Sequence, residues 1–386
     1  MLEYDVVIVG GGPIGGHVAG KIAEKNFKVA VFEKNKEIGQ YLNCAGLVTS
    51  RVFDLIDISK KEIVQNEIKG ANIHSPSNKI LSIGGDKVHA LSIDRTLFDK
   101  EIIKQSKKKG ADFYLKNKIT MVERDSNSYK IKSSENIEAK CKLLIGADGP
   151  YSKIREILSF PQPKEFLTGI GAEIINTNLN PEFVEIFIGK KIAPGFFAWI
   201  IPTSKDGTNA RIGLCTVQKA EHSAKYYFNK MIEHKYFQPY IKNCKIKRRM
   251  GGTIPLGILK KIYADNVMLV GDAAAQVKPT SGGGLYPGLL CANLCSEVVL
   301  EALQKNDFTS EVLKKYQKLW QKEIGSELKK GMRFRTIFKT LTDKRMDKYI
   351  EKLQNPEIIE IINEYGDIDY PSKLVKPLVK KSRFFI

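Results

Sequence analysis

No stretch of this chain approaches the roughly 18 uncharged apolar residues that a membrane span needs. Residues 1–5 lead directly into an apolar run, with no secretory h-region before it. The six cysteines (Cys44, Cys141, Cys215, Cys244, Cys291, Cys295) are scattered. Only Cys291 and Cys295 stand close, and C-x-x-x-C within a helical pattern is not a zinc spacing, so no metal site is expected. The expectation is a protein of the reducing cytoplasm with free thiols. Internal repeats and low-complexity linkers are missing as well. The chain is also short of acid, with 43 Asp and Glu against 62 Lys and Arg, a formal net charge of +19.

Such an excess attracts polyanions: nucleic acid, an anionic membrane surface or a phosphorylated substrate. The charge is uneven. Residues 241–262 carry seven basic and no acidic residues, and residues 313–348 carry twelve basic against four acidic. No RNA-recognition signature accompanies it, so nucleic acid is not an expected partner. Any single lysine is adequately explained as a solubilising surface residue. A length of 386 residues exceeds what one core usually fills, so two or three closely joined domains are expected.

What the chain does have is concentrated at its start. An apolar run, Val6-Val7-Ile8-Val9, stops at Gly10-Gly11-Gly12-Pro13-Ile14-Gly15. A helical pattern follows, then a second apolar run ending on Glu33. The glycines of G-x-G-x-x-G (Gly10, Gly12, Gly15) turn the chain tightly and let backbone N–H groups approach a pyrophosphate. The anion would rest on the helix N-terminus, and Glu33 would accept hydrogen bonds from a ribose hydroxyl. An adenine dinucleotide is expected, and this motif alone leaves NAD and FAD open.

Further along, residues 52–66 read as helix, residues 68–89 as short strands, and Asp94-Arg95 opens a helix over residues 96–109. Another buried strand ends at Asp148-Gly149, which begins the pattern D-G-x-x-S-x-x-R. A third strand, residues 266–270, is capped by Gly271-Asp272-Ala273-Ala274 and continues through Ser281-Gly282-Gly283-Gly284-Leu285 into a helix. Simple NAD dehydrogenases need only the first of these three turns. Between the last two, residues 160–249 alternate in short runs separated by Pro, Gly and Asn, as an antiparallel sheet would. Its stretch around Phe197, Trp199 and Pro202 is unusually aromatic, either a core strand or a greasy substrate wall. The carboxy-terminal part is helical, with Leu313, Tyr316, Trp320, Ile324 and Leu328 near one face. That face can pack on the preceding domains, and a basic amphipathic helix can also dock on anionic lipid.

The three turns together resemble the flavoproteins built like aromatic-ring hydroxylases. Within them, the chain resembles the geranylgeranyl reductase family, closest to its archaeal ether-lipid branch. The residues that carry the likeness are Cys44-Ala45-Gly46 after Glu33, Asp94-Arg95-x-x-Phe98-Asp99, Phe197-x-Trp199-x-x-Pro202 followed by Gly213, and Gly271-Asp272 through Gly284. Ile201 replaces the second aromatic residue of the family's aromatic box. The resemblance implies a discontinuous Rossmann-like FAD-binding domain (residues 1–66, 86–159 and 262–300). It also implies an antiparallel-sheet substrate domain (67–85 and 160–261) and a C-terminal helical region (301–386). FAD would be held by Gly10, Gly12, Pro13, Gly15, Glu33, Cys44, Ala45, Gly46, Arg95, Asp148, Asp272, Gly284 and Leu285. Phe197, Trp199 and Pro202 would meet the substrate.

The implied reaction is saturation of isolated alkenes in isoprenoid lipid chains by reduced FAD. An unactivated alkene is a poor hydride acceptor, so a dry pocket, alignment and a proton donor are required. Cys44 is the candidate donor or gate, because thiols as a class are mostly protonated at neutral pH; alternatively it is a small residue packed beside the ring. The electron donor, a protein or a reduced cofactor, is not specified by any second nucleotide motif. The location implied is cytoplasmic, with peripheral attachment to the inner face of the membrane, to which the tail from Lys380 would contribute. Two other readings remain: a flavin monooxygenase of the same fold acting on an apolar or aromatic substrate, and a non-catalytic or RNA-binding flavoprotein.

Overall fold

A computed structural model of the chain describes residues 1–40 and 44–381. Three residues of the loop after Glu33, and the tail beyond Lys381, lie outside the described residues. The front of the molecule is built on a sheet of eight strands. Five run parallel in the order Val267–Leu269, Glu138–Gly146, Leu2–Val9, Val29–Phe32, Asp112–Tyr114. Val6, Val7, Ile8, Leu143, Leu144 and Ile145 are wholly buried, as continuous apolar runs must be when both faces of a parallel sheet are covered. The helix Pro13–Ala23 packs between Arg95–Lys108 and Leu285–Lys305.

A second, seven-stranded sheet runs Lys245–Leu256, Glu165–Ile175, Asn209–Val217, Phe197–Pro202, Phe183–Ile188, Gly70–His74, Ile80–Gly84. It is antiparallel except where Phe183–Ile188 pairs with Gly70–His74 in parallel. Alternation assigns its faces. Ala172, Ile174, Ala198, Ile200 and Ile212 share a core with Phe228 and Phe237 under two short helices. Of the intervening residues, Trp199, Ile201 and Arg211 turn toward a small sheet formed by Leu47–Val48, Ala90–Ile93 and Val64–Ile68.

Residues 52–66 differ from the helix expected of them. Helix covers only Arg51–Asp54, and Val64–Ile68 is a strand paired with Ala90–Ile93. The run Ser59-Lys60-Lys61 interrupts the helical period, and buried Asn66 donates to Pro181 O at 2.7 Å, an anchor available only to the extended chain.

The C-terminal helices close the structure. Leu313, Tyr316, Trp320, Ile324 and Leu328 are all at most 2% exposed and belong to the main core. That stripe is therefore a packing face, and lipid has no access to it. The helix Ser326–Thr340 crosses to the second sheet through Arg335, which forks onto Glu165 at 2.8 and 3.0 Å and donates to Gly195 O at 2.9 Å. Its guanidinium also lies over the Phe196 ring. Both partners are largely buried, with side chains 2% and 16% exposed. Breaking a buried pair from one side strands the other charge. Arg335→Met is therefore expected to cost about 3 kcal/mol, read as a lower urea midpoint with an unchanged slope.

Candidate functional site

The four central parallel strands end in one row. Leu269 is registered with Gly146, Gly146 with Val9, and Val9 with Phe32. At about 4.8 Å per strand the row spans about 14 Å. Three of the strands leave it through the turns singled out above and the fourth, after Phe32, through Glu33; the carboxyl edge is where a doubly wound sheet takes its ligand. The turns are crowded together. Gly10 has φ +110°, and a Cβ there would collide with Ala147 O beside Asp148. Only glycine satisfies both constraints.

Gly12 is the N-cap of the Pro13–Ala23 helix, with no side chain capping it and open space where a Cβ would be. Unpaired amides at a helix start, facing open space, suit an anion. Glu33, 7% exposed, accepts from Gly11 N at 2.7 Å and Asn35 N at 2.8 Å, so it also braces the glycine turn. Ile14 reaches across to fill the space left by Gly271 and Gly288, joining the first turn to the third.

In that third turn Asp272 carries the least satisfied charge. Its carboxylate makes no hydrogen bond among the described residues. Burial pushes its pKa from 3.8 up to about 6, with the Arg95 charge opposing the rise. Gly284, the uncapped N-cap of Leu285–Lys305, faces it, and a Cβ there would lie 2.9 Å from Oδ1. Leu285 itself is buried in the core. Arg95 is paired with Asp99 at 3.0 Å. Burial works against the Arg95 charge, but Asp99 and the neighbouring Cys44 sulfur outweigh it and hold its pKa above the ordinary arginine value. Glu33 is thus tied to the first turn, and Arg95 lies close enough to Asp272 in the third for its charge to be felt there.

Asp148 is placed differently from the other acids. Its Oδ2 accepts from Lys153 N at 2.6 Å and Ile154 N at 3.1 Å, which starts the short helix Lys153–Ile157. Its Oδ1 is buried with no hydrogen-bond partner among the described residues. Arg155, the last residue of the same pattern, donates to Ala273 O at 2.8 Å and Pro150 O at 2.6 Å, stitching the second turn to the third.

Arg211 was not singled out from the sequence, and it ties the second sheet to the Cys44 loop and to the small sheet that contains Val64–Ile68 and Ala90–Ile93. It is 1% exposed, on the face of the second sheet opposite to Ala210 and Ile212. It donates to Ala45 O at 3.1 Å, Ile93 O at 2.8 Å, Gln65 Oε1 at 2.8 Å and Glu173 Oε1 at 3.1 Å. The Cys44-Ala45-Gly46 loop is held by this residue, and Gly46 (φ +70°) has no room for a side chain beside it. The available signal was a lone arginine inside the apolar alternation Ala210-Arg211-Ile212.

The aromatic strand lies next to these loops. Phe196 stacks on Phe197 with centroids 4.3 Å apart, and Phe197 meets Trp199 edge-on at 6.1 Å. Gly213 is registered opposite Trp199, and a Cβ there would be 2.6 Å from the indole. Trp199 Nε1 is buried with no acceptor among the described residues. Gly282 of the third loop runs against Ile254 and Phe196, so loop and aromatic strand share a wall. Pro202 is elsewhere in character: buried at the strand end, its carbonyl accepts from Asn66.

Comparison with known proteins agrees with this geometry. Residues 3–293 match the family described as FAD binding domain. A digeranylgeranylglycerophospholipid reductase of Methanocaldococcus jannaschii is 32% identical over 91% of this chain and 90% of its own. An uncharacterized protein of the same organism is 36% identical over 98% of this chain and 95% of its own. The solved structure of a geranylgeranyl bacteriochlorophyll reductase-like protein from Thermoplasma acidophilum superposes with a TM-score of 0.86 at 25% identity, covering 98% and 99% of the two chains. The open Gly12 turn and the unpartnered Asp272 carboxylate fit FAD.

The Asp272 environment makes a signed prediction. A carboxyl raised from 3.8 to about 6 binds its proton more tightly in the folded chain, so stability falls as pH rises between those values. FAD-free Asp272→Asn should therefore be more stable than FAD-free wild type at pH 7, by up to roughly 3 kcal/mol. The difference should vanish near pH 4 in urea titrations, while the variant's affinity for FAD drops.

Proposed function

The chain belongs to the geranylgeranyl reductase family of FAD-binding proteins, and on that premise we propose that it saturates isolated C=C bonds in geranylgeranyl chains of archaeal ether-lipid precursors. Bound FAD, once reduced from outside, supplies the hydride. The chain's own residues have three tasks: to hold the cofactor at the strand ends, to keep water from the alkene, and to deliver a proton.

The observation that carries the reading is the Cys44 sulfur beside the buried Arg95–Asp99 pair, whose Arg95 charge also acts on Asp272. In this reading Cys44 Sγ–H protonates one alkene carbon. The thiolate left behind is stabilised by the Arg95 guanidinium, which stays charged because Asp99 balances it. Gly46 N, 3.3 Å from Sγ, donates to the same sulfur. Arg211 fixes the loop that presents it. Phe196, Phe197, Trp199 and Ile254 offer an apolar wall suited to an isoprenoid chain and unsuited to water. Isoprenoid substrates are also named in the relatives at 26–32% identity.

Peripheral attachment to an anionic membrane is part of the proposal, carried by a different surface from the buried stripe. Ile337 is 62% exposed and Tyr349 43%, among exposed Lys339, Lys344, Arg345 and Lys348. Apolar side chains among cations suit a lipid interface. Among the described residues no helix is long and apolar enough to cross a membrane.

The test is anaerobic reduction of the FAD-loaded protein with dithionite, followed by unsaturated archaeal-type ether lipid and mass analysis of the product. A gain of one H2 per double bond is expected, and Cys44→Ser should slow it by roughly a hundredfold while FAD remains bound. A gain of one oxygen atom, requiring O2, would instead make the protein a monooxygenase.

A further inference from the structure

The turn at residues 367–370 belongs to the C-terminal helical region yet reaches into the site. Asp369 is fully buried, 91 residues downstream of Lys278. Its carboxylate accepts from Lys278 Nζ at 2.6 Å, Thr49 Oγ1 at 2.5 Å and Arg51 Nη1 at 3.1 Å. Asp367 accepts both arms of the Arg51 fork, at 2.8 and 2.9 Å, and caps the turn through the amides of Asp369 and Tyr370. Tyr370 closes the far side with its hydroxyl 2.9 Å from that of Tyr286.

These partners flank the two loops that matter. Thr49 and Arg51 follow the Cys44-Ala45-Gly46 loop by a few residues. Lys278 forms the neck of the third glycine loop: its N–H donates to Gly283 O at 3.1 Å, and its carbonyl accepts from Gly282 N at 2.8 Å. Its side chain folds under that loop, and a Cβ on Gly283 would lie 2.9 Å from Cε and 3.4 Å from Nζ. Lys278 is 7% exposed, so its ammonium has little water to lean on. The Asp369 carboxylate, drawn from the C-terminal region, thus balances a cation buried directly beneath the loop.

We propose that Asp369 is a positioning residue of the FAD site, acting through Lys278: it anchors and neutralises the ammonium under the 278–284 loop, and so sets the charge which that loop presents to the flavin. The proposal rests on the functional reading, in which Gly284 and Leu285 help to hold FAD, and takes their loop to border the flavin ring. Its physical basis is Coulombic. In a buried site an unbalanced cation favours the more negative of two states of a neighbouring group, and reduction makes a flavin more negative. With Asp369 in place the cation is offset. Without it, the cation is exposed to the ring.

The test is the midpoint potential of the FAD-loaded protein, measured by dye equilibration, together with its thermal midpoint. Asp369→Asn should raise the potential and Lys278→Met should lower it, each changing the reduced-to-oxidised ratio at fixed dye potential by about tenfold, about 30 mV for two electrons. The double variant should return close to wild type. Lys278→Arg, which keeps the charge, should stay near wild type, and it and Lys278→Met decide the matter if Asp369→Asn does not fold. Thermal midpoints that fall while every potential stays at the wild-type value would overturn the proposal, since a purely structural ion pair predicts that pattern. A wild-type chain that never retains FAD would refute both this and the functional reading. FAD-loaded wild type with unmoved variant potentials refutes only this one.

Discussion

The shared row of strand ends is the constraint on which the rest depends. Leu269, Gly146, Val9 and Phe32 are locked side by side by parallel ladder hydrogen bonds, although they come from distant parts of the chain. A ladder cannot slip by one residue without inverting every buried side chain. The fully apolar runs on either side therefore fix where each turn emerges. Once the register is set, Gly10 must pass Ala147 closely, Ile14 must fill against Gly271 and Gly288, and Asp272 must face Gly284. The crevice is a consequence of the sheet. The side chains refine it.

Buried cations join the elements around the site to one another. Arg155 links the second strand-end turn to the third. Arg211 links the second sheet to the Cys44 loop. Arg335 links the C-terminal helices to the second sheet, and Lys278 links the third loop to the turn at Asp369. Each is at most 7% exposed, and each has its donors taken by carbonyl or carboxylate oxygens. Arginine suits such a role because its planar fork can serve several acceptors in different elements at once. A hydrophobic contact would hold the pieces together, but it would not specify their orientation. The strong positive charge of the chain is thus divided between an exposed lysine surface and a small set of interior cross-links that shape the site.

The C-terminal region illustrates how one segment can serve two ends. Its inner stripe, from Leu313 to Leu328, completes the main core, while its turn at Asp369 holds the loops of the crevice. What remains outside is a basic surface with a few exposed apolar side chains. An amphipathic helix has only one apolar stripe, and here the core uses it.

Much of this was legible in one dimension. Strand, glycine turn, helix and acid at the chain start, the Gly271–Asp272 turn, and the aromatic strand opposite Gly213 all announce themselves by local pattern, because each depends on backbone geometry that only certain residues allow. The helix expected over residues 52–66 failed for the complementary reason. Its apolar residues suit either period, and a partner strand at Ala90–Ile93 decided the matter. Arg155, Arg211, Lys278 and Asp369 were not legible as a group. A buried ion has no local signature, since what makes it tolerable is a partner tens or hundreds of residues away. Sequence alone determined the dinucleotide crevice and the class of fold, because those follow from periodicity and steric permission. Tertiary structure decided which charges face one another inside, because Coulombic balance in a low-dielectric interior depends on distance through space rather than along the chain.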